Sequence, residues 1–380
     1  MKHNSHNPDF EFCHEPVSFN KFTDKNLLSY CLGGTLYMPG TQNIINKILR
    51  KDIPELKSMV MCFEDAIDEG DLGKAEDNVL SHLDILANSL GNQELEIDDV
   101  PLIFVRVRST EQFLSFSNRL TREQASVLTG FVFPKFYSVN AHVYLEKLKK
   151  INEKLDVLLY GMPILEGESI AYCESRIAEL DKIKLLLDPY KKYILNVRVG
   201  GTDFSSLFGL RRGISSSIYN ILPVRDAMSD ILNFFNRMES GYTVSAPVWE
   251  YFLAYKQDDI KKYIGTSMGH SLHTKTTIVN DAIDGLLREV LQDKINGMVG
   301  KTVIHPSHLR FVNAMQAVTL EEYEDAMQIL NASGGVLKSG LGNKMNEIGP
   351  HRNWASRVHL RAMAYGVIRD EAQYLELFLD

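Results

Sequence analysis

The chain has 380 residues, 44% hydrophobic and 24% charged, with a formal net charge of −8; it is long enough for one large α/β barrel or two medium domains, and its acidic balance argues against a nucleic-acid-binding protein. It holds no run of about 18 apolar residues that could span a membrane, and its N-terminus lacks the apolar stretch of a signal peptide. Cys13, Cys31, Cys62 and Cys173 are scattered without a CxxC pair, which fits free thiols in a reducing compartment better than a structural zinc site, so the expectation is a soluble cytoplasmic protein.

Residues 1–28 are polar and rich in His and Asn and read as an irregular N-terminal arm. Eight β-rich runs follow, at 30–38 (YCLGGTLYM), 58–67 (SMVMCFEDAI), 102–109 (LIFVRVRS), 130–136 (GFVFPKF), 156–166 (DVLLYGMPILE), 193–203, 242–250 (YTVSAPVWE) and 300–307 (GKTVIHPS). The stretches between them, such as 74–90 and 168–187, carry apolar residues at helical spacing. Eight strands each followed by a helix predict a parallel sheet closed into a (β/α)8 TIM barrel over 29–318. The competing open, doubly wound sheet is disfavoured because the first βα turn lacks the GxGxxG fingerprint. The long connections 204–241 and 251–299 predict extra helices over the mouth. Residues 319–380 read as a C-terminal helical extension, and a terminal helix outside a complete barrel suggests packing on a second subunit, hence a homo-oligomer.

Polar residues recur where the strands end, which is where active sites of this fold lie. The second run ends in Glu64-Asp65, the third in Arg106 and Arg108, the fourth in Pro134-Lys135, the fifth in Glu166 and the sixth in Gly200-Gly201 followed by Asp203. Charges at such ends are costly unless they pair with each other or with a ligand. Glu166 and Asp203, on adjacent strands, suit a hard divalent ion such as Mg²⁺ (or Mn²⁺), completed by water and substrate oxygens. Arg106 and Arg108, two apart, would share one face of a strand and grip a carboxylate or phosphate through their planar forks. Lys135 is open between a substrate role and a salt bridge to a neighbouring acid. Gly201 allows close approach of a ligand, and Arg198, Arg211 and Arg212 are extra cations around Asp203. His270 and His273 lie close together, with no further ligand near them in sequence to make a zinc site.

These segments resemble the citrate lyase beta subunit and the wider HpcH/HpaI aldolase superfamily of Mg²⁺-dependent carbon–carbon lyases. LYMPG (36–40) is similar to that family's "LFVPG", FEDAI (63–67) to "LEDAV", and FVRVRS (104–109) to "VRIN". FVFPKF is similar to "LPK", PILEGES to the metal-binding "IET" strand, VGGTDFSSLFG (199–209) to "FGxxDLxxxLG", and GKTVIHPSHL (300–309) to "GKxxIHPxQ". The matches are collinear over roughly 32–350. The resemblance implies Glu166 and Asp203 as Mg²⁺ ligands, Arg106 as the clamp on a substrate carboxylate, and Glu64 and Asp65 as acids beside the metal site; His305 and Pro306 are read as structural.

The departures from the family pattern are specific. Arg108 replaces the asparagine that follows the family's arginine, Glu168 competes with Glu166 as a ligand, and the insertions fall where the family often accepts coenzyme A. They speak against a coenzyme A thioester substrate. They suggest a divergent branch resembling the barrel-fold lyase-like proteins of tellurium-resistance and stress gene clusters. The expected function is a carbon–carbon lyase or aldolase acting on a small anionic oxo-acid-type, acyl or phosphorylated metabolite by metal-stabilised enolate chemistry, with transfer chemistry in the manner of malate synthase a further reading. The alternative is a non-catalytic metabolite-binding or complex-forming subunit that retains the barrel.

Overall fold

In the computed structural model, which describes residues 1–254, 278–340, 342 and 344–379, the eight runs form one parallel sheet. The strands are β1 Gly34–Pro39, β2 Ser58–Cys62, β3 Leu102–Arg106, β4 Leu128–Phe133, β5 Tyr160–Leu165, β6 Val197–Val199, β7 Val244–Ser245 and β8 Lys301–Val303. Neighbours in sequence are neighbours in space, and β8 returns to β1. The ring closes between β7 and β8: Val299 N donates to Val244 O at 2.8 Å, and Thr302 N to Ala246 O at 3.1 Å. The result is the expected (β/α)8 barrel.

Parallel strands covered on both faces must be apolar along their length. SMVMC, LTGFVF and YGMPIL are accordingly buried at every position. Gly130 is forced by this closeness, because a Cβ there would overlap the Tyr160 carbonyl of β5. Outside β4 the rings of Phe113, Phe131, Phe133 and Tyr144 interlock, with centroids 4.9 Å apart for Phe113–Phe131 and 4.6 Å for Phe133–Tyr144.

Several strands are shorter than the sequence runs. β7 stops before Pro247, which lacks the N–H a ladder needs, and β8 gives way to a 3-10 turn, Pro306–His308. The stretch 74–90 is part of one helix, Leu72–Gly91. The stretch 168–187 is two helices, Glu168–Ala171 and Cys173–Leu187. Arg176 stabilises that break by donating to the carbonyls of Ile170 at 2.7 Å and Ala171 at 2.6 Å, groups a helix end leaves unpaired. The connection 204–241 supplies a short helix, Gly201–Leu207, before the barrel helix Leu222–Phe235. Much of 251–299, including His270 and His273, lies outside the described residues.

The N-terminal residues are tied down rather than loose. The His3 ring stacks between Phe19 and Tyr365, at 5.0 and 4.4 Å, and the Lys21 ammonium donates to the carbonyls of Ala125 at 2.8 Å and Leu128 at 2.6 Å. At the other end, Val318–Thr319 pairs in parallel with Val367–Ile368. The helices Leu320–Asn331 and Ile348–Tyr365 pack on each other around Ala326, Ile329, Ala355 and Val358. The final amphipathic helix thus covers its apolar face within its own chain. Among the described residues no helix is long and apolar enough to cross a membrane.

Candidate active site

The C-terminal ends of β1, β2, β3, β5, β6 and β8 surround a cavity of about 450 Å³. Glu166 immediately follows β5 and is 5% exposed. Its Oε1 accepts the backbone N–H of Lys135, beyond β4, at 2.7 Å. Asp203 comes from the first turn of the helix Gly201–Leu207, so the turn expected after β6 is the start of a helix. The two carboxylates converge over Gly200: a Cβ there would sit 2.5 Å from Glu166 Oε2 and 3.1 Å from Asp203 Oδ2. Only glycine leaves that space open. Burial, then the neighbouring Asp203 charge, pushes Glu166 well above the usual carboxylate range, and burial also raises Asp203. Two acids this close, one buried and one half-buried, favour a proton or a cation between them.

That donor set fits a hard divalent ion. Among the described residues no cluster of three or more His, Cys, Asp or Glu side chains is arranged around a metal. An ion on Glu166 and Asp203 would therefore take its remaining oxygens from water and substrate, the usual situation for Mg²⁺. Glu168 is exposed, the first residue of the next helix, and lines an adjoining cavity of about 500 Å³ that shares Glu166 and Asp203 with the first.

Glu64, Asp65, Arg106 and Lys135 form one network. Arg106 Nε lies 3.1 Å from Glu64 Oε2, with its N–H aimed at Cys62 Sγ, and Nη2 lies 3.2 Å from Asp65 Oδ2. The Lys135 ammonium is 2.7 Å from Glu64 Oε1 and 4.0 Å from Asp65 Oδ1. Burial raises Glu64 even against the pull of Arg106 and Lys135, and the bond to Glu64 raises Lys135. Arg198, on β6, points into the barrel at 1% exposure. Its Nη2 donates to Thr302 Oγ1 on β8 at 2.9 Å, the rest of the fork is enclosed beside Tyr37, and among the described residues no carboxylate is bonded to it.

The other arginines depart from expectation. Arg106 and Arg108 do not share a strand face, because β3 ends at Arg106. Arg108 turns back to the loop after β2, its Nη1 donating to the carbonyls of Phe63 at 3.3 Å and Ile67 at 3.4 Å. Arg212 leaves the neighbourhood of Asp203 for a buried ion network: Nη1 lies 2.9 Å from Glu289 Oε2, and Lys301 bridges Glu289 and Asp293 at 2.9 and 2.8 Å. Arg211 is exposed, 4.0 Å from Glu250. Gly201 lines the cavity, packed under Pro247. His305 caps the Pro306–His308 turn and stacks on Phe252 at 4.4 Å.

Tyr37 and Thr302 are cavity residues not singled out in the sequence. Tyr37 lies inside the LYMPG match and Thr302 inside GKTVIHPS.

A family model described as a C-C bond lyase of the TIM-barrel fold matches residues 26–367. Among solved structures, CitE from Mycobacterium tuberculosis in complex with magnesium, acetoacetate and coenzyme A is 16% identical, with 87% of this chain and 97% of that one covered and a TM-score of 0.53. RipC from Yersinia pestis is 14% identical, covering 76% and 95% at a TM-score of 0.47. The citrate lyase beta subunit of M. tuberculosis complexed with oxaloacetate and magnesium is 16% identical, covering 75% and 96% at 0.45. No curated protein matches the sequence.

Proposed function

The chain belongs to the carbon–carbon bond lyase family of the TIM-barrel fold, and from that membership and the site's geometry we propose that it is a Mg²⁺-dependent lyase of a small anionic oxo-acid-type metabolite. The observation that carries the reading is the convergence of Glu166 and Asp203 over Gly200, where among the described residues the bond to Glu166 comes from a neutral backbone N–H and no cation. A divalent ion held by Glu166 and Asp203 would supply Lewis-acid stabilisation of developing negative charge on a substrate oxygen. The protein's own groups do the rest. The Lys135 N–H fixes the orientation of Glu166. Arg106 and Lys135 hold Glu64 and Asp65 at the rim, where Asp65, lining the cavity with its side chain 61% exposed, is placed to take or return a proton. The apolar walls, including Ile164, Val199 and Val248, limit water around the reacting carbons. The magnesium and acetoacetate bound to the mycobacterial protein are of the class this cavity suits.

The test is calorimetric titration of Mg²⁺ into metal-free protein, with and without oxaloacetate or pyruvate, repeated on Glu166→Gln and Asp203→Asn. Binding that the oxo acid tightens and both substitutions abolish supports the reading. No binding by the unaltered protein under either condition sinks it. A second reading, a metabolite-binding subunit without turnover, draws on the closure of Arg106 by its own acids. It is separated by assaying product release from candidate oxo acids, which a binding subunit would not show.

A further inference from the structure

Resting on the reading that an anionic metabolite occupies this cavity, we infer that its charged group is clamped from inside the barrel by Arg198, and that Arg106 is a positioning residue. Both guanidiniums flank the Tyr37 ring, at 5.7 Å for Arg106 and 5.4 Å for Arg198. They differ in what neutralises them. Arg106 and Lys135 face Glu64 and Asp65, two cations against two carboxylates, and the set closes on itself. Arg198 has only neutral partners, the Thr302 hydroxyl and the neighbouring Tyr37, and no carboxylate bonded to it among the described residues.

The interior layers of a barrel of this kind are normally branched aliphatic side chains. A guanidinium buried there without a counter-ion is among the most expensive groups a core can hold. Charge counting gives the same result. With a divalent ion on Glu166 and Asp203, and the Arg106 network neutral, one positive charge remains in the site, on Arg198. A carboxylate or phosphate oxyanion supplies the missing charge, and its oxygens match the planar fork. Thr302 holds the fork from β8. The Tyr37 hydroxyl, enclosed beside Arg198, is a further polar group at that end. Arg106 then acts through others, by holding Glu64 and Asp65 in place.

The experiment titrates pyruvate, inorganic phosphate and neutral pyruvamide into the full chain in excess MgCl₂, for the unaltered protein, Arg198→Met and Arg106→Gln. One of the anions is expected to bind at least about tenfold more tightly than pyruvamide, and which one does so separates a carboxylate from a phosphate ligand. Arg198→Met is expected to weaken that anion by about ten- to a hundredfold, the worth of one or two charge-assisted hydrogen bonds. Its melting temperature should hold or rise, because an uncompensated buried charge is gone. Arg106→Gln should keep the anion within about threefold and lose melting temperature instead. Thr302→Val releases the fork without removing the charge and serves if Arg198→Met does not fold; it should weaken the anion about fivefold. The assignment is overturned if Arg198→Met keeps the anion and Arg106→Gln loses it, or if neither anion outcompetes pyruvamide in the unaltered protein. Failure of Mg²⁺ to bind would count against the lyase reading in the separate metal titration; the anion preferences decide Arg198 on their own.

Discussion

Lys135 holds Glu166 by its backbone and Glu64 by its side chain: the N–H donates to Glu166 Oε1 at 2.7 Å, and the ammonium reaches Glu64 Oε1 at the same distance. It does so at φ +45°, in the left-handed region that side chains other than glycine's rarely enter. The strain sits where one residue must satisfy two acids just beyond the ends of β2 and β5. Lys135→Gly should therefore keep the fold and the Glu166 bond, with stability changed by less than about 1 kcal/mol. Lys135→Ile, β-branched, should lose about 2 kcal/mol. Urea unfolding of the pair measures this, and equal stability of the two variants would remove the backbone argument.

Gly200→Ala places a methyl 2.3 Å from Glu166 Cβ and 2.5 Å from its Oε2, so the whole residue must shift. The carboxylate must swing away from Asp203, and the expected outcome is a loss of Mg²⁺ affinity of at least about tenfold, with a stability cost of about 1–3 kcal/mol for overpacking. Calorimetric titration beside a melting curve checks both. Unchanged Mg²⁺ affinity would mean that the two carboxylates do not act together.

Arg211 and Arg212 are adjacent in sequence and opposite in consequence. The Arg212 side chain is 1% exposed, bonded through Nη1 to both Glu289 oxygens and stacked 4.9 Å over Trp249. Arg212→Ala leaves Glu289 with Lys301, the Ser217 hydroxyl and the Ile218 N–H but without its arginine counter-charge, and is expected to cost about 3–5 kcal/mol. Arg211→Ala, at an exposed side chain, should stay within about 0.5 kcal/mol. Chemical denaturation of the two variants decides it, and similar losses would contradict the buried network.

His3 gives the N-terminal arm a pH dependence. Burial lowers it from 6.5 to about 3, opposed by its bond to the Cys31 carbonyl at 2.8 Å. A depressed histidine stabilises the fold above its unfolded value and loses that contribution as pH falls from 6.5 toward 3, by about 1.4 kcal/mol per unit. His3→Phe retains a ring between Phe19 and Tyr365 but cannot protonate. It should be less stable than the unaltered protein at pH 7.5 and gain on it by about that slope below 6.5. Parallel stability–pH curves for the two proteins would show that His3 titrates as freely in the fold as out of it.

The barrel was legible because its signals are local. Continuous apolar runs such as SMVMC and YGMPIL, bounded by helical periodicity, mark buried parallel strands whatever lies beside them. The rule that chemistry sits at the C-terminal strand ends then pointed to Glu64, Asp65, Arg106, Lys135, Glu166 and Asp203, and the fold brings all six to one rim. The break at Tyr172 and the early ends of β7 and β8 were not legible from periodicity, because they depend on a side chain such as Arg176 reaching back or on a single proline.

What the sequence by itself determined is therefore the strand order and the ring of polar residues at its mouth, both consequences of short-range pattern and chain connectivity. Tertiary structure alone decided which charge neutralises which. Lys135 meets Glu64 across 71 residues and Arg198 meets Thr302 across 104, so neither pairing leaves a trace in local spacing. Arg198 and Arg212 look alike on paper. One points from a strand into the barrel and is bonded to no acid among the described residues, while the other, past a short helix, reaches Glu289. The energy of a buried charge depends on its nearest opposite charge, and that distance exists only once the barrel has closed.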